Sequence, residues 1–488
     1  MNGSDIVTIG PVALAVATAV VVLLVDLVLP GRRNLAVFVA LVGLAAVGGA
    51  VIGLAAAGRH ETAFGGAYSL DDLTTYLDIL FVAIAALTIA FAGDYLATRG
   101  LPMAEFAAVL VFAVTGAMLI AGSADLLVLF VALELMVLPG YMLVGFARRD
   151  PYSTEGAIKY FLLGSFSSAI LLFGLAYVWG ITGSTRIDAV AAALKDAVAA
   201  GSIQPGLAMG LAFMTAGVAF KMAAVPFHYW TPDAYQGSPT PVTAYLSVGP
   251  KVGAFAIALR LFAGALEPVK ADWLPVVIVL AALTMSLGNL VAVAQDNVKR
   301  MLAYSSIAHT GYILVGLAAF AGGQRSGIQA VLFYAGAYTF MNMGAFAVVA
   351  ALQRRPGVTS QISTFAGLGR RNVWLGALMT LFLLSLTGIP PLAGFWAKAY
   401  VIVAAVQAGG WVAALAVLAM FNAAIAAFYY LRVVVYMYMR EPGTEAVATS
   451  PGMLFRAGLA VTGIATLAFG LFPALIDAMG RASDVLKP

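Results

Sequence analysis

Long apolar segments fill most of this chain of 488 residues and limit what it can fold into. A helix needs roughly 20 apolar residues to cross a bilayer. About fourteen segments meet that length, namely 6–29, 34–57, 72–93, 102–121, 125–146, 155–182, 206–227, 241–265, 273–295, 299–321, 327–352, 373–404, 411–438 and 453–478. Charged residues make up only 10% of the chain, whereas soluble domains carry about 25%. We therefore predict an all-α polytopic membrane protein rather than an outer-membrane barrel, whose strands alternate apolar and polar residues.

Basic residues predict the orientation of these helices, because cytoplasmic loops are rich in Lys and Arg. The N-terminal MNGSD lacks the basic start of a signal peptide, so we expect a retained first helix with its N-terminus outside. The cytoplasmic side then receives Arg32, Arg33, Arg99, Arg148, Arg149, Lys299, Arg300, Arg354, Arg355, Arg370, Arg371, Arg432, Arg440 and Arg456. The outside receives a set about half as large: Arg59, Arg186, Lys195, Lys270, Arg325, Arg481 and Lys487.

No extramembrane stretch is long enough for a soluble domain, so residues 1–488 are predicted to form a single membrane domain. Residues 186–200 are too short and too polar to span, and they resemble an interfacial amphipathic helix. Gly and Pro interrupt two spans, the seventh and the twelfth, and paired interruptions are typical of repeated halves. We infer inverted five-helix repeats, helices 4–8 and 9–13, with these boundaries: N-terminal helices 1–100, first repeat 101–265, second repeat 273–438 and C-terminal helix 453–478.

Residues 212–261 carry two lysines, Lys221 and Lys251, deep in apolar sequence. Between them lie Pro226, Gly237 and Pro239, which break a helix. Interrupted backbone at membrane depth persists only where protein or a water-filled cavity surrounds it, and an intramembrane charge marks function by default. Residues 380–398 repeat the pattern, with TGIPPLAG followed by Lys398. The sequence therefore predicts hydrated, charged sites inside the membrane.

Glu134 is expected to be the only acid well inside a span. A lone buried carboxylate needs a compensating cation, and one of the buried lysines is the economical partner. Such a pair has coupled proton affinities, so its lysine can gain and lose a proton. The alternative is a static ion pair that locks two helices. Because Glu134, Lys159, Lys221, Lys251 and Lys398 lie on separate spans, we favour proton transfer.

Several other polar residues have a structural interpretation beside a functional one. Lys159 and Arg260 lie near the ends of spans and can extend to the interface. His228 follows Pro226, where a proton relay and simple packing are equally consistent with the sequence. His309 lies in the polar stretch YSSIAHTGY, which favours a hydrated path. We interpret Asp233 and Thr240 as structural.

Composition excludes several classes of function. The chain has no cysteine, so it holds no disulfide and no cysteine-ligated iron–sulfur cluster. Its three histidines are too few and too dispersed for a haem pair, and no metal site is expected. Basic residues are scattered through short loops rather than forming a stripe, which argues against nucleic acid as a partner. Any redox centre that it serves must lie on another chain, and the lipid bilayer is an expected partner.

Three motifs carry a family resemblance: FKMAAVPFHYWTPDAYQGSPTPVTAYLS, VKRMLAYSSIAHTGYILVG and LTGIPPLAGFWAK. They resemble the antiporter-like membrane subunits of respiratory complex I, the proton-pumping NADH:quinone oxidoreductase. Those subunits are similar to subunits of multisubunit Na⁺/H⁺ antiporters and membrane-bound hydrogenases. RRDPYSTEGAIKYFLLGSFSSAILLFG and AALTMSLGNLVAVAQDNVKRM look like the bacterial subunit N type rather than the subunit L or M types.

The resemblance implies a role for each matching residue. Glu134 matches the glutamate of the fifth helix, Lys221 the lysine of broken helix seven, Lys251 the central lysine of helix eight and Lys398 the lysine of broken helix twelve. His228 and Lys159 match recurrent polar members of the central axis. The family places FMN, iron–sulfur clusters and quinone on partner subunits. It also implies an antiporter-like neighbour, small membrane subunits and the bacterial plasma (inner) membrane.

The predicted activity is proton translocation driven by quinone reduction on other subunits, through Glu134, Lys159, Lys221, His228, Lys251, His309 and Lys398. Two alternatives remain open at this point. The chain is either a subunit of a Na⁺/H⁺ antiporter or hydrogenase, or a scaffold whose buried charges only fix the helix register. A small-solute carrier is the weakest alternative, because no stretch resembles a substrate pocket.

Overall fold

The computed structural model describes residues 3–201, 205–354, 357–441 and 451–486. Within these ranges, thirteen helices are long and apolar enough to cross a membrane. Two shorter apolar helices, Val373–Thr387 and Ala393–Ala408, follow each other where the interrupted twelfth span was expected. The prediction of an all-α polytopic membrane protein is confirmed. Arg355 and Lys487, two of the residues used for orientation, lie outside the described ranges.

The first quarter of the chain forms a group of helices with a β-hairpin between the third and the fourth. The elements are α1 (Gly3–Thr8), α2 (Gly10–Val28), α3 (Arg33–Ala56), β1 (Glu61–Ala63), β2 (Tyr68–Leu70), α4 (Asp72–Ala97) and α5 (Met103–Gly122). β1 and β2 pair antiparallel, with Ala63 opposite Tyr68. Asp71 caps α4 by accepting a hydrogen bond from the Thr74 amide at 2.8 Å. The predicted single segment 6–29 is two helices, because the chain turns before Pro11.

The middle of the chain contains the first interrupted span. It comprises α6 (Leu126–Val144), α7 (Pro151–Thr182), α8 (Ile187–Ala199), α9 (Pro205–Met222), α10 (Trp230–Gly237), α11 (Thr240–Leu246) and α12 (Gly249–Ala258). α12 continues as a π-helical turn, Leu259–Ala265. The predicted end of the seventh span at residue 227 lies past the end of α9 at Met222, and α10 follows the break. The short amphipathic helix predicted at 186–200 is present as α8.

The last part of the chain contains the second interrupted span. Its helices are α13 (Lys270–Val293), α14 (Val298–Ala321), α15 (Ser326–Leu352), α16 (Leu368–Arg371), α17 (Val373–Thr387), α18 (Ala393–Ala408), α19 (Gly410–Met439), α20 (Met453–Leu471) and α21 (Leu475–Asp484). The predicted segment 453–478 therefore runs too far, because Pro473 separates α20 from α21. The division into two inverted repeats stays a prediction.

The bundle has two ends, which we name by their contacts. At the hairpin face, Arg186 donates to the Gly65 carbonyl at 2.6 Å and the Phe64 amide donates to Asp5 at 3.1 Å. At the opposite end, the arginine face, Arg300 pairs with Asp233 at 2.7 Å and Arg99 donates to the Gln353 carbonyl at 2.6 Å. The N-terminus thus lies on the hairpin face, on the same side as Arg59, Arg186 and Lys270.

The span that bears Lys251 lies in the interior of the bundle together with α14 and α15. The span 240–265 is 100% buried within the protein, and α14 and α15 are each 94% buried, whereas α2 and α3 are only 33% buried. The outer helices expose large apolar side chains such as Phe38, Phe166 and Trp411. This arrangement is typical of a membrane bundle, in which lipid or partner chains cover the apolar exterior and protein encloses the charges.

Candidate functional site

The first break in the bundle follows α9, directly after Lys221. The α9 helix ends because Ala223 takes a left-handed conformation with φ of 60°, and Pro226 has no amide hydrogen to donate to the Met222 carbonyl four residues before it. Lys221 is 4% exposed. Its amine donates to the Ser168 hydroxyl at 2.8 Å and to the Gly164 carbonyl at 3.2 Å, both on α7.

Glu134 lies near Lys221 without pairing with it directly. The two charges interact electrostatically, but no ion pair within 4 Å joins them in the described residues. The Oε1 atom of Glu134 is buried and makes no hydrogen bond to the described residues. The expected Glu134–Lys221 ion pair is therefore not formed in this structure, and the static lock that it would provide is absent as well.

Thr310 on α14 connects the first break to the central lysine. Its hydroxyl lies 2.9 Å from the Met222 carbonyl, the acceptor that Pro226 leaves without a donor, and accepts a hydrogen bond from Lys251 at 3.1 Å. Lys251 also donates to the Ser306 carbonyl at 2.6 Å. A cavity of about 10 Å³ adjoins Lys251 and His309, which is close to the space that one water molecule requires.

His309 continues the polar path along α14. It is 2% exposed, its Nδ1 atom lies 2.6 Å from the Tyr334 hydroxyl, and its Nε2 atom lies 3.2 Å from the Tyr430 hydroxyl. The Tyr430 hydroxyl is also hydrogen-bonded to Ser305. The histidine interacts electrostatically with both Lys251 and Lys398. His309 is therefore near enough to both lysines to interact with their charges, and the hydrated path expected from the polar stretch stays a prediction.

The second break lies between α17 and α18, and Lys398 bonds directly to it. The Lys398 amine donates to the Leu386 and Thr387 carbonyls at 3.1 and 2.8 Å. In a continuous helix those carbonyls would bond to residues 390 and 391, but both are prolines. The amine also lies 4.9 Å from the centre of the Tyr312 ring.

Amide side chains support the tyrosine beside Lys398. Asn289 on α13 donates to the Tyr312 hydroxyl at 3.3 Å and accepts a hydrogen bond from Tyr429 at 2.9 Å. It also donates to Asn422 on α19 at 3.2 Å. Sequence reasoning missed these two asparagines. Their position inside apolar spans was the available signal, since a buried amide needs polar partners.

Two predicted site residues lie apart from this set. Lys159 is 43% exposed and pairs with Glu155 at 2.6 Å and with Asp233 at 2.7 Å, in a network at the arginine face that includes Arg300. The structure therefore does not bring Lys159 into the buried set, because Lys159 lies only eight residues after Pro151, the first residue of α7. His228 is 5% exposed and stacks on Tyr229 at 4.6 Å, and its Nδ1 atom makes no hydrogen bond to the described residues.

Three charged residues were misjudged from the sequence. Arg260 does not extend to the interface but is 6% exposed and paired with Asp71 at 2.8 Å. Lys299 is not a loop residue, since it is 3% exposed and donates to the Ser238 carbonyl at 2.6 Å. Glu134 is not the sole buried acid, because Asp78 is fully buried. The burial of Asp78 could have been predicted, because Asp78 is the seventh residue of the predicted span 72–93.

Comparison with known proteins identifies the family. Residues 123–425 match the family described as "NADH:quinone oxidoreductase/Mrp antiporter, TM". NADH-quinone oxidoreductase subunit N 2 of Rhizobium meliloti (strain 1021) is 41% identical over 467 residues, which cover 95% of this chain and 94% of that relative. The chain belongs to the NADH-quinone oxidoreductase subunit N family. The sequence resemblance is thereby confirmed.

Solved structures agree with membership of the subunit N family. A chain of respiratory complex I from Thermus thermophilus with bound aureothin is 33% identical, with a TM-score of 0.79, and the match covers 96% of this chain and 98% of that chain. A chain of the Mrp complex from Dietzia sp. DQ12-45-1b has a TM-score of 0.85 at 23% identity, covering 100% of this chain and 98% of that one. The second similarity concerns the fold alone.

No group of three or more His, Asp or Glu side chains in the described ranges is placed to hold a metal ion. The ionisable groups gathered in the interior of the described residues include amines, imidazoles, carboxyls and tyrosine hydroxyls. Their chemistry suits the uptake, storage and release of protons.

Proposed function

We propose that this chain is a proton-translocating subunit of an NADH:quinone oxidoreductase and moves protons along a central row of Glu134, Lys221, Lys251, His309 and Lys398. The observation that carries the proposal is the set of polar contacts that lead from one break to the other. Thr310 touches both the end of α9 and Lys251. His309 interacts electrostatically with both Lys251 and Lys398.

The row supplies acceptors that a proton-carrying amine can exchange. Lys221 holds only one side-chain hydroxyl and one helical carbonyl, so it can turn from Ser168 toward Glu134. A hydrogen bond to a charged group contributes about 1.5–3 kcal/mol, and moving one charge through 100 mV requires about 2.3 kcal/mol. Because these energies are similar, a change of partner at Lys221 is large enough to control a proton.

The direction of transport follows from the arrangement of the row and the breaks. Protons enter from the arginine face, load Lys221 or Lys251, pass His309 to Lys398 and leave at the opposite face, which is the hairpin face. Water completes the steps between amines, since the Met222 carbonyl accepts a hydrogen bond but cannot pass a proton on. Movement of Glu134 toward Lys221, driven by a neighbouring subunit, favours the charged amine, and its withdrawal favours release.

The proposal assigns the redox chemistry to partner subunits. FMN, iron–sulfur clusters and quinone are expected on those chains, in keeping with the absence of cysteine here. An antiporter-like neighbour and small membrane subunits would cover the apolar exterior. The excess of basic residues at the arginine face supports its placement in the cytoplasm and the N-terminus outside, in the bacterial inner membrane. Labelling single cysteines at exposed positions of each face with an impermeant thiol reagent tests that orientation.

Lys221→Ala in the complete complex, reconstituted into vesicles, tests the proposed function. We expect fewer protons translocated per NADH oxidised, with the complex still assembled. Arg325→Gln is the matched control, because Arg325 is an exposed cation outside the row and should leave the proton yield unchanged. An unchanged yield in Lys221→Ala would favour the scaffold alternative, and a yield that depends on Na⁺ would favour cation exchange.

A further inference from the structure

A fully buried carboxyl group on α4 is not part of the central row. Asp78 has 0% relative exposure, and neither of its carboxylate oxygens makes a hydrogen bond to the described residues. An unpaired carboxylate in an apolar interior is far less stable than a protonated carboxyl group. Asp78 therefore holds a proton in this arrangement, in a place that the row does not explain.

The nearest compensating cation is occupied by another acid. Arg260, in the π-helical turn, donates to both Asp71 oxygens at 3.0 and 2.8 Å, to the Thr74 hydroxyl at 3.0 Å and to the Ala121 carbonyl at 2.6 Å. π-helical turns occur frequently at functional sites. While this ion pair is closed, Asp78 interacts with Arg260 and Asp71 only at longer range.

The ion pair also borders open space at the hairpin face. A cavity of about 750 Å³ is lined by Asp71, Arg260, Arg186, Asp188, Glu267 and Lys270. Its volume greatly exceeds the roughly 30 Å³ that one water occupies in the liquid. Hydrogen bonds from Arg186 lower the pKa of Asp188 at this rim. The cavity therefore gives both charges of the Asp71–Arg260 pair access to a space large enough for many water molecules.

Asp78 lies deeper in the membrane than the ion pair that borders this cavity. It is seven residues into the membrane from Asp71, or about 10 Å at the rise of an α-helix. Lys251 precedes Arg260 by nine residues, or about 13 Å, on a helix that ends at the hairpin face where α4 begins. Asp78 is thus deeper than Arg260 and shallower than Lys251.

Tyr68 on β2 is the remaining titratable neighbour. Its hydroxyl is buried and makes no hydrogen bond to the described residues, and it interacts electrostatically with Asp78. Gly122 leaves the room for the ring, since a Cβ atom there would lie 2.2 Å from Tyr68. The titratable and charged groups that interact with Asp78 are therefore Tyr68, Asp71 and Arg260.

We propose that Asp78 is the site at which this chain exchanges protons with the medium at the hairpin face, under control of the Arg260–Asp71 pair. The inference rests on the proposed function of the central row. When Arg260 leaves Asp71 and turns toward Asp78, the carboxyl O–H bond of Asp78 breaks, and its proton passes to water that enters from the cavity and on to the medium at the hairpin face. When Arg260 returns to Asp71, the Asp78 carboxylate takes up a proton arriving from the row.

Asp78→Asn in the reconstituted complex tests this assignment, with Asp72→Asn as the control. Asp72 begins the same helix but is partly exposed and faces His60 at 4.0 Å. We expect Asp78→Asn to lower the proton yield per NADH as far as Lys221→Ala does, Asp78→Glu to restore part of it, and Asp72→Asn to leave it unchanged. If Asp78→Asn keeps the proton yield of the parent complex while Lys221→Ala lowers it, this inference alone is overturned. If both variants keep the proton yield of the parent complex, the proposed function is overturned.

Infrared difference spectroscopy gives a readout that a merely structural role would not change. During turnover, the parent complex should show a carboxylic acid C=O band that Asp78→Asn removes and Asp78→Glu shifts. If Asp78→Asn does not assemble, the parent spectrum compared with Asp78→Glu still decides the matter. Bands that are identical in these two complexes would show that Asp78 does not change protonation, and would overturn the assignment.

Discussion

The two breaks solve the same backbone problem in different ways. In each, proline removes the amide that would bond to a helical carbonyl four residues earlier: Met222 at the first break, and Leu386 and Thr387 at the second. At the first break, the donor to that carbonyl is Thr310 of another helix, and Lys221 bonds to α7 instead. At the second, the donor to both carbonyls is Lys398 itself.

Because of this difference, the two lysines are not equally free to change their hydrogen-bond partners. Lys221 can leave its partners at little cost, because the Gly164 carbonyl also accepts a hydrogen bond within α7 and Ser168 retains a hydroxyl that can turn. The Lys398 amine cannot move away without leaving two buried carbonyls with no hydrogen-bond donor, and each unsatisfied carbonyl costs about 1–3 kcal/mol. The amine of Lys398 also lies at a helix C-terminus, where the dipole favours positive charge. The first break is therefore suited to switching, and the second to holding a charge.

Lys398→Ala should have the largest effect, because it removes a proton carrier and a structural donor together. We expect loss of translocation and a loss of stability of about 2–6 kcal/mol from the two orphaned carbonyls. Lys221→Ala should lose translocation with a much smaller change in stability. The measurement is the temperature at which this subunit leaves the solubilised complex, recorded beside the proton yield. Equal stability losses in the two variants would remove the distinction between the breaks.

Thr310→Val should have an intermediate effect, confined to the first break. Valine keeps the shape of threonine but takes away the donor to Met222 and one of the two acceptors of Lys251. A hydrogen bond to a charged group is worth about 1.5–3 kcal/mol, so proton transfer past Lys251 should slow by about tenfold or more. The check is the rate of proton pumping, measured with NADH and quinone in excess so that electron transfer does not limit it.

Thr339→Val is the control for the threonine substitution. Thr339 is also fully buried, but its hydroxyl donates only to the Ala335 carbonyl within α15. Its replacement should leave the pumping rate close to that of the parent. A rate in Thr310→Val that matches Thr339→Val would mean that the contact between α9 and Lys251 carries no part of the transport.

The sequence predicted the fold well where hydrophobicity alone decides it. The number of spans, both breaks and the short helix α8 follow from the length of apolar runs and from Gly and Pro. Boundaries failed beside the breaks, since the predicted span 206–227 runs past the end of α9 at Met222. Hydropathy cannot register α10, because Trp230–Gly237 contains polar residues that pair within the protein.

The candidate site was predicted in part. The sequence singles out buried amines, and Lys221, Lys251, His309 and Lys398 are indeed buried. What it could not provide is pairing, because partners lie far apart along the chain. Arg260, for example, pairs with Asp71 across 189 positions. Lys159 pairs with Asp233, which lies 74 positions away, and this pairing places Lys159 in the arginine-face network and not in the row.

Ala223→Gly should have the smallest effect and addresses the backbone at the first break. The second break uses Gly388, with φ of 96°, where the first uses Ala223 at 60°. A left-handed alanine costs about 1–2 kcal/mol, which glycine relieves. Glycine in turn costs about 0.5–1 kcal/mol in entropy, and the lost methyl about 0.8 kcal/mol. We expect Ala223→Gly to leave the dissociation temperature of the subunit nearly unchanged. Ala224→Gly removes an equally buried methyl without relieving strain, so it should lower that temperature. If both variants lose the same stability, the left-handed turn at Ala223 is not strained, and the two breaks differ only in their donors.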